Sequence, residues 1–267
     1  MGAAPAERWK DLNDFARKKW ITGDIYTNAT TPYFRAPHVY VALASRFMAG
    51  RSALTAEQRK ASGVADAYAK ASGFNETVLL TSRGGNRYDR TFLEAFIRPG
   101  LGLKAWTTRS HYAAWGIVPT PDSDTHLSLY VAKELGYGSN HLARYTLRYD
   151  GFISVNAPYA WDRDGYGRPK PAELLTKPFT FSGKRLLINY STSAIGRLRV
   201  EIQDAGGKSI EGRTLSDCEV IVGDEIEREV AWKGRSDLSD LAGKPVRLRF
   251  TMSDADLFSL RFGDGRQ

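Results

Sequence analysis

The sequence predicts a mainly β protein built from antiparallel sheets, and three observations carry that reading. Leu198, Val200 and Ile202 alternate with Arg197, Arg199, Glu201 and Gln203, and Val246, Leu248, Phe250 and Met252 alternate with Arg247, Arg249 and Thr251. A period of two buries one face of a strand and wets the other, as an antiparallel sheet requires. Turn-forming clusters at Ala205-Gly206-Gly207 and Gly243-Lys244-Pro245 separate such runs. Tyr, Phe and Trp make up 12% of the chain, a share that suits pleated, half-buried surfaces.

In chain order, the first element expected is a helix over 5–20, with Pro5 in its first turn and Trp9, Leu12, Phe15, Ala16 and Lys19 at helical spacing. Residues 24–37, DIYTNATTPYFRAP, read as a loop or irregular inner strand, and 38–47, HVYVALASRF, as a buried strand. Residues 52–73 turn Ala-rich and polar, with Thr55 and Gln58 at capping-box spacing, which marks a helical surface insertion. Residues 76–92 are expected as two strands about a Gly84-Gly85 turn. Strands follow at 117–118 and 127–131, on either side of a polar loop. Residues 144–155, RYTLRYDGFISV, read as a hairpin with Asp150-Gly151 at its tip. The Pro- and Gly-rich stretch 156–178 is the expected domain boundary. Phe258, Leu260 and Phe262 give a last alternating strand around Ser259 and Arg261.

The strands before that boundary fall into two groups, one over 38–92 and one over 117–155, each about the length of a four-stranded propeller blade. The expected organisation is an N-terminal helix (1–23), a partial β-propeller of about two blades with a helical insertion (24–160), a linker (161–177), and an antiparallel β-sandwich or jelly roll (178–267).

Charge and motifs narrow the function. The net charge is +8, with 38 basic against 30 acidic residues, yet Lys and Arg are dispersed singly on strands. Zinc-finger spacing, a basic zipper and an RNP-like motif are all absent, so no nucleic-acid partner is expected. A polyanionic polysaccharide would account for the charge equally well, and the wet faces of the C-terminal strands hold much of it. The single Cys218 rules out an intramolecular disulfide framework and reads as a small buried hydrophobe. His111, His126 and His141 lack metal-ligand spacing, and neither a metal nor any other cofactor is expected. The start MGAAPAERWK has no apolar signal region, no run reaches membrane-spanning length, and no membrane partner is expected.

The densest polar cluster is TSRGGNRYDRTFLEAFIRPG, residues 81–100. Arg83, Asn86, Arg87 and Arg90 stand there with Asp89 and Glu94, and Tyr88, Phe92 and Phe96 lie between them. Carboxylates among guanidiniums and aromatics suit a polyhydroxylated or anionic ligand, and they equally suit a solvated hairpin face laced with ion pairs. Glycoside hydrolysis needs two carboxyl groups across the scissile bond, roughly 5 Å or roughly 6.5–9.5 Å apart. Asp89 and Glu94 are the nearest candidates; Asp24, Asp122, Asp124 and Asp150 are poorer ones. A second group, Asn28, Tyr33, Arg35 and His38, offers hydrogen-bond donors and a ring for stacking. In the C-terminal domain Tyr190 or Trp232 is a candidate sugar platform.

YTNATTPYFRAPHVYVALASRFM, TSRGGNRYDRTFLEAFIRPG, HLARYTLRYDGFISVNAPY, GDEIEREVAWKG and LAGKPVRLRFTMSDADLFSLRF resemble a bacterial family frequent in Planctomycetes-type genomes. Its members look like five-bladed β-propeller glycoside hydrolases, similar to the invertase and arabinanase group (families 32 and 43), with a C-terminal β-sandwich. The resemblance runs from about Ile25 to Phe262. It implies an oligo- or polysaccharide ligand, neutral or anionic, and general acid/base hydrolysis. Family members are longer, so this chain is expected to hold the last two blades and the sandwich, with the catalytic positions of earlier blades lying elsewhere. Self-association or a partner chain would then complete the propeller. A non-catalytic carbohydrate-binding or assembly module is the alternative.

Overall fold

In a computed structural model, structure is described for residues 24–92, 94–159 and 171–265. The helix expected over 5–20 and most of the expected linker lie outside these residues. The chain is mainly β and divides into two compact units, 1–147 and 148–267.

The first unit begins with β1 (Asp24–Thr27), β2 (Thr30–Tyr33) and the long β3 (Ala36–Met48). β1 and β2 share one edge of β3, and β4 (Phe74–Ser82) pairs along the other, from Tyr40↔Ser82 to Met48↔Phe74. Ala42, Ala44, Val78 and Leu80 form an apolar cluster between them. The second group of strands repeats this plan. β5 (Tyr112–Ala113) and β6 (Val118–Pro119) both pair with β7 (His126–Lys133), which also pairs with β8 (His141–Arg148). The two four-stranded antiparallel sheets draw on residues 24–82 and 112–148, where strand groups were expected over 38–92 and 117–155.

Between β3 and β4 the helical insertion forms two short helices, α1 (Ala56–Ala61) and α2 (Asp66–Lys70). The capping box is present: the Gln58 backbone N–H donates to Thr55 Oγ1 at 3.2 Å, and the Thr55 N–H donates to Gln58 Oε1 at 2.9 Å. A third helix, α3 (Leu103–Thr108), ends at Arg109, which is left-handed at φ 53°. Its buried guanidinium donates to the carbonyls of Gly73, Tyr68 and Ala71, and so ties α3 to the end of the insertion.

Two expected hairpins differ from the structure. After Gly84-Gly85 the described residues do not form a regular second strand; the chain runs back beside β4 and forms isolated bridges to it at Thr81↔Asp89 and Thr77↔Ile97. The chain after Asp150-Gly151 likewise does not return along β8. Asp150 sits at φ 58° in the turn, and β9 (Val155–Ala157) pairs with β13 (Val246–Gly263) of the second unit. Side chains explain the diversion: Ser259 Oγ donates to Asp150 at 2.6 Å, and Ser154 Oγ and Asn156 Nδ2 both donate to Asp256. Arg148 donates twice to Asn189 Oδ1, bonds Asp224 at 2.5 Å and lies over the Phe258 ring. Residues 148–157 therefore belong with the second unit, earlier in the chain than the Pro- and Gly-rich stretch that marks the expected boundary.

The second unit is built on β11 (Arg185–Asp204), which pairs with β13 along almost its full length. β12 (Asp224–Glu229) takes the free edge of β11, and β9 and β10 (Ala172–Leu175) take that of β13. A register shift between Thr192 and Arg197 bends the long strands, and residues of both halves enter one core. Leu186, Ile188 and Tyr190 come from one half and Leu198, Val200 and Ile202 from the other; Trp232, Leu238 and Leu241 close over them. The expected alternation holds for the apolar sides, Leu198, Val200 and Ile202 and Val246, Leu248, Phe250 and Met252, but the opposite side is not uniformly wet: Glu201 and Gln203 are 4% and 7% exposed, and Phe258 to Phe262 are all half-buried. That opposite side carries Arg249–Glu173 at 2.5 Å and Arg261–Glu227 at 3.0 Å, so part of the basic charge is paired within the unit.

Candidate functional site

The β3–β4 pair is buried on both faces near its Met48–Phe74 end, and that is where polar residues enter it. Arg46 and Glu76 are direct cross-strand partners, both at most 5% exposed, and form an ion pair. On the other face Ser45 opposes Thr77, whose Oγ1 lies 3.2 Å from His111 Nε2. His111 is held neutral: burial, and then the Lys133 charge, pull its pKa down to about 4.

Arg46 and Glu76 open onto a cleft of about 890 Å³. Arg51, Glu94, Arg98 and Trp106 line it as well, together with Arg109. Burial first, then the nearby charges of Arg90 and Arg51, lower the Arg46 pKa to about 10, while Glu94 opposes them. The local field is therefore positive, with guanidiniums crowded closely enough to disfavour one another's charge.

A different arrangement stands further along β3. Thr30 pairs with Ala42, four residues from Arg46 and so about 13 Å along the strand. Asn28 Oδ1 accepts from the Thr30 N–H at 3.0 Å and from its hydroxyl at 2.9 Å, which fixes the turn between β1 and β2. Thr30 Oγ1 shares a 3.0 Å hydrogen bond with the Tyr88 hydroxyl. The Trp115 indole N–H donates to the Thr30 carbonyl at 2.8 Å, although the residue is 73% exposed. Two exposed aromatic side chains are thus tethered by their polar ends to one threonine.

The sequence-picked residues divide between these places. Of the pair Asp89 and Glu94, Glu94 lines the cleft; Asp89 is exposed and bonds Thr81 through its backbone. Arg90 acts on Arg46 electrostatically, and burial lowers its own pKa. Arg83, Asn86 and Arg87 are exposed on the loop after β4, which Ser82 holds by donating to the Arg87 carbonyl at 2.6 Å. Asn28 belongs to the aromatic arrangement. Tyr33 is 5% exposed and packs edge-on against Phe34, so its ring is a core element; Arg35 is half-buried at the β2–β3 turn and His38 exposed on β3. Asp122 lies 3.8 Å from Arg144, Asp124 is exposed, and Asp150 serves its turn. His126 and His141 are exposed and bonded to Thr125 and Ser139. The side chain of Asp24 lies outside the described residues. Tyr190 and Trp232 are fully buried, with Trp232 Nε1 on the Val200 carbonyl, and neither offers a face to a sugar. Cys218 is buried, and burial raises its pKa.

Arg51, Glu76, Arg98, Trp106 and Trp115 were not picked out. Arg46 and Glu76 had a signal, because each interrupts an apolar strand (HVYVALASRF, FNETVLLT), where a charge needs a partner. Trp115 had none. Among the described residues, no group of three His, Cys, Asp or Glu could hold a metal, and no helix is long and apolar enough to cross a membrane.

No family model and no curated protein matches the chain. Among solved structures it is similar to a glycoside hydrolase family 43 arabinoxylan arabinofuranohydrolase from Bacillus subtilis in complex with cellotetraose. The identity is 13% and the TM-score 0.24, over 89% of this chain and 54% of that one. The chain thus spans about half the length of that enzyme, and a likeness of this size carries no argument about fold or chemistry.

Proposed function

We propose that the chain is a portion of a carbohydrate-active, glycoside-hydrolase-like protein, and that its first unit binds an oligosaccharide on Trp115 and Tyr88. The observation that carries this reading is Trp115. Its ring is largely exposed, yet its N–H is satisfied by the Thr30 carbonyl, so a flat apolar face is held ready at little entropic cost. Sugar rings present C–H faces to such surfaces, and Asn28, Arg83, Asn86 and Arg87 supply hydrogen-bonding groups on neighbouring turns. The two four-stranded sheets would be two blades of a propeller, and the second unit a bracing sandwich. A second copy or a partner chain would supply further blades, and the mass in solution tests that: a well-behaved monomer counts against self-completion.

In this reading the chain contributes walls of a site, and Asp89 and Glu94 are the carboxylates assigned to acid/base work wherever the chain itself turns over substrate. Calorimetric titration with neutral xylo- and arabino-oligosaccharides is expected to show binding that Trp115→Ala removes while the circular dichroism stays unchanged. Undiminished binding by that variant would sink the platform. Hydrolysis of aryl glycosides, lost in Asp89→Asn or Glu94→Gln, favours the enzyme; binding without turnover favours a non-catalytic module.

A further inference from the structure

The guanidinium-lined cleft is separate from the aromatic platform, and the carbohydrate reading above assigns a role to its Glu94 but to none of its arginines. We propose that this cleft is a second ligand site, in which Arg51 and Arg98 hold the oxyanionic group of an acidic saccharide, its ring lying against Trp106. The saccharide part of this assignment rests on the carbohydrate reading above; the oxyanion part rests on the cleft alone.

Three observations support it. First, the buried guanidiniums of the cleft are already committed, Arg46 to Glu76 and Arg109 to three backbone carbonyls, so they shape the floor. Arg51 and Arg98 are different: both are exposed on the rim, and neither makes an ion pair within the described residues. Second, the lining holds four arginines against two glutamates among the described residues, one of which is spent on Arg46, and the Arg51 charge lies close enough to disfavour that of Arg46, a repulsion that a bound anion relieves. A guanidinium matches a carboxylate or sulfate with two parallel hydrogen bonds, which gives orientation as well as attraction. Third, Trp106 is half-exposed on the same cleft, and a volume of about 890 Å³ accommodates several sugar rings. Carboxylate and sulfate ester share the required chemistry.

The test measures binding of tetragalacturonate, a κ-carrageenan tetrasaccharide and xylotetraose to the whole chain. At least one of the two acidic ligands is expected to bind tenfold or more tightly than xylotetraose, with an affinity that falls as salt is raised. Which of them binds assigns the carboxylate or the sulfate. Arg51→Gln combined with Arg98→Gln is expected to weaken the acidic ligand at least tenfold and to leave xylotetraose unchanged. Both positions are exposed, so the variant keeps its fold. The proposal is overturned if that variant binds the acidic ligands like the parent, or if the parent binds neither acidic ligand. Trp115→Ala separates the two readings. Loss of xylotetraose with acidic binding intact in the arginine variant keeps the platform and removes this site, and the opposite pattern keeps this site and removes the platform.

Discussion

In the second unit, charged side chains stand mostly on the outer face of β11 and β13, near opposite charges, over a continuous apolar core. In the first unit they are carried inward: Arg46 and Glu76 are buried between β3 and β4 near their Met48–Phe74 end, Arg59 and Arg109 are buried against backbone carbonyls, and Trp115 and Trp106 are left outside. The inversion is informative because desolvating a charge is expensive, and hydrophobic residues of the same volume would usually do as well or better for stability. A unit that buries charge and exposes large aromatic rings is therefore shaped by something other than stability.

The largest effect is expected where the second unit is most apolar. Trp232→Ala removes a fully buried ring and its hydrogen bond to Val200, and should destabilise by about 4 kcal/mol in denaturant titration. A loss under about 1 kcal/mol would mean that this core is less tightly packed than it looks. Next is the buried pair: Glu76→Gln strands the Arg46 charge and should cost about 3–4 kcal/mol. The double change Arg46→Met with Glu76→Leu sharpens the comparison, because it is expected to be neutral or stabilising by about 1–4 kcal/mol. A large loss in the double variant would show that the pair does serve stability.

His111 gives the pH signature of the first unit. Its folded-state pKa, about 4, lies below the 6.5 of an unperturbed histidine, so the unfolded chain takes up the proton first. Stability is full above about pH 6.5 and falls by about 3 kcal/mol as the pH drops to 4. His111→Gln should flatten that slope in urea titrations between pH 4 and 7, and an unchanged slope would assign it to other groups. The smallest effect belongs to the outer face of the second unit. Arg261→Gln loses the partly exposed pair with Glu227 and should shift stability by less than about 1 kcal/mol; a larger cost would give surface charge there more weight than the comparison allows.

How much of this could be read in advance also differs between the units. In the second, the alternation around Leu198 and Val246 fixed strand positions and faces, because a one-residue slip would turn every apolar side chain to water. In the first, the capping box at Thr55 and the strand at 38–47 were legible for similar local reasons. The hairpins were not. Asp150-Gly151 has the composition of a two-residue turn, but whether the chain returns along β8 depended on Asn189, Asp256 and Ser259, about forty to one hundred and ten residues away. The polar cluster of 81–100 looked like one site because its residues are adjacent in sequence. Folded, it is shared between the turn after β4, where Tyr88 meets Thr30, and the cleft lined by Glu94 and Arg98.

The amino-acid order alone determined the β class and the apolar side of the strands around Leu198 and Val246, since these follow from side-chain period and local turn chemistry. Only tertiary structure decided that Arg46 faces Glu76, that Trp115 is held by Thr30, and that residues 148–157 join the second unit. Each of those depends on a contact between distant residues, whose partner no local pattern names.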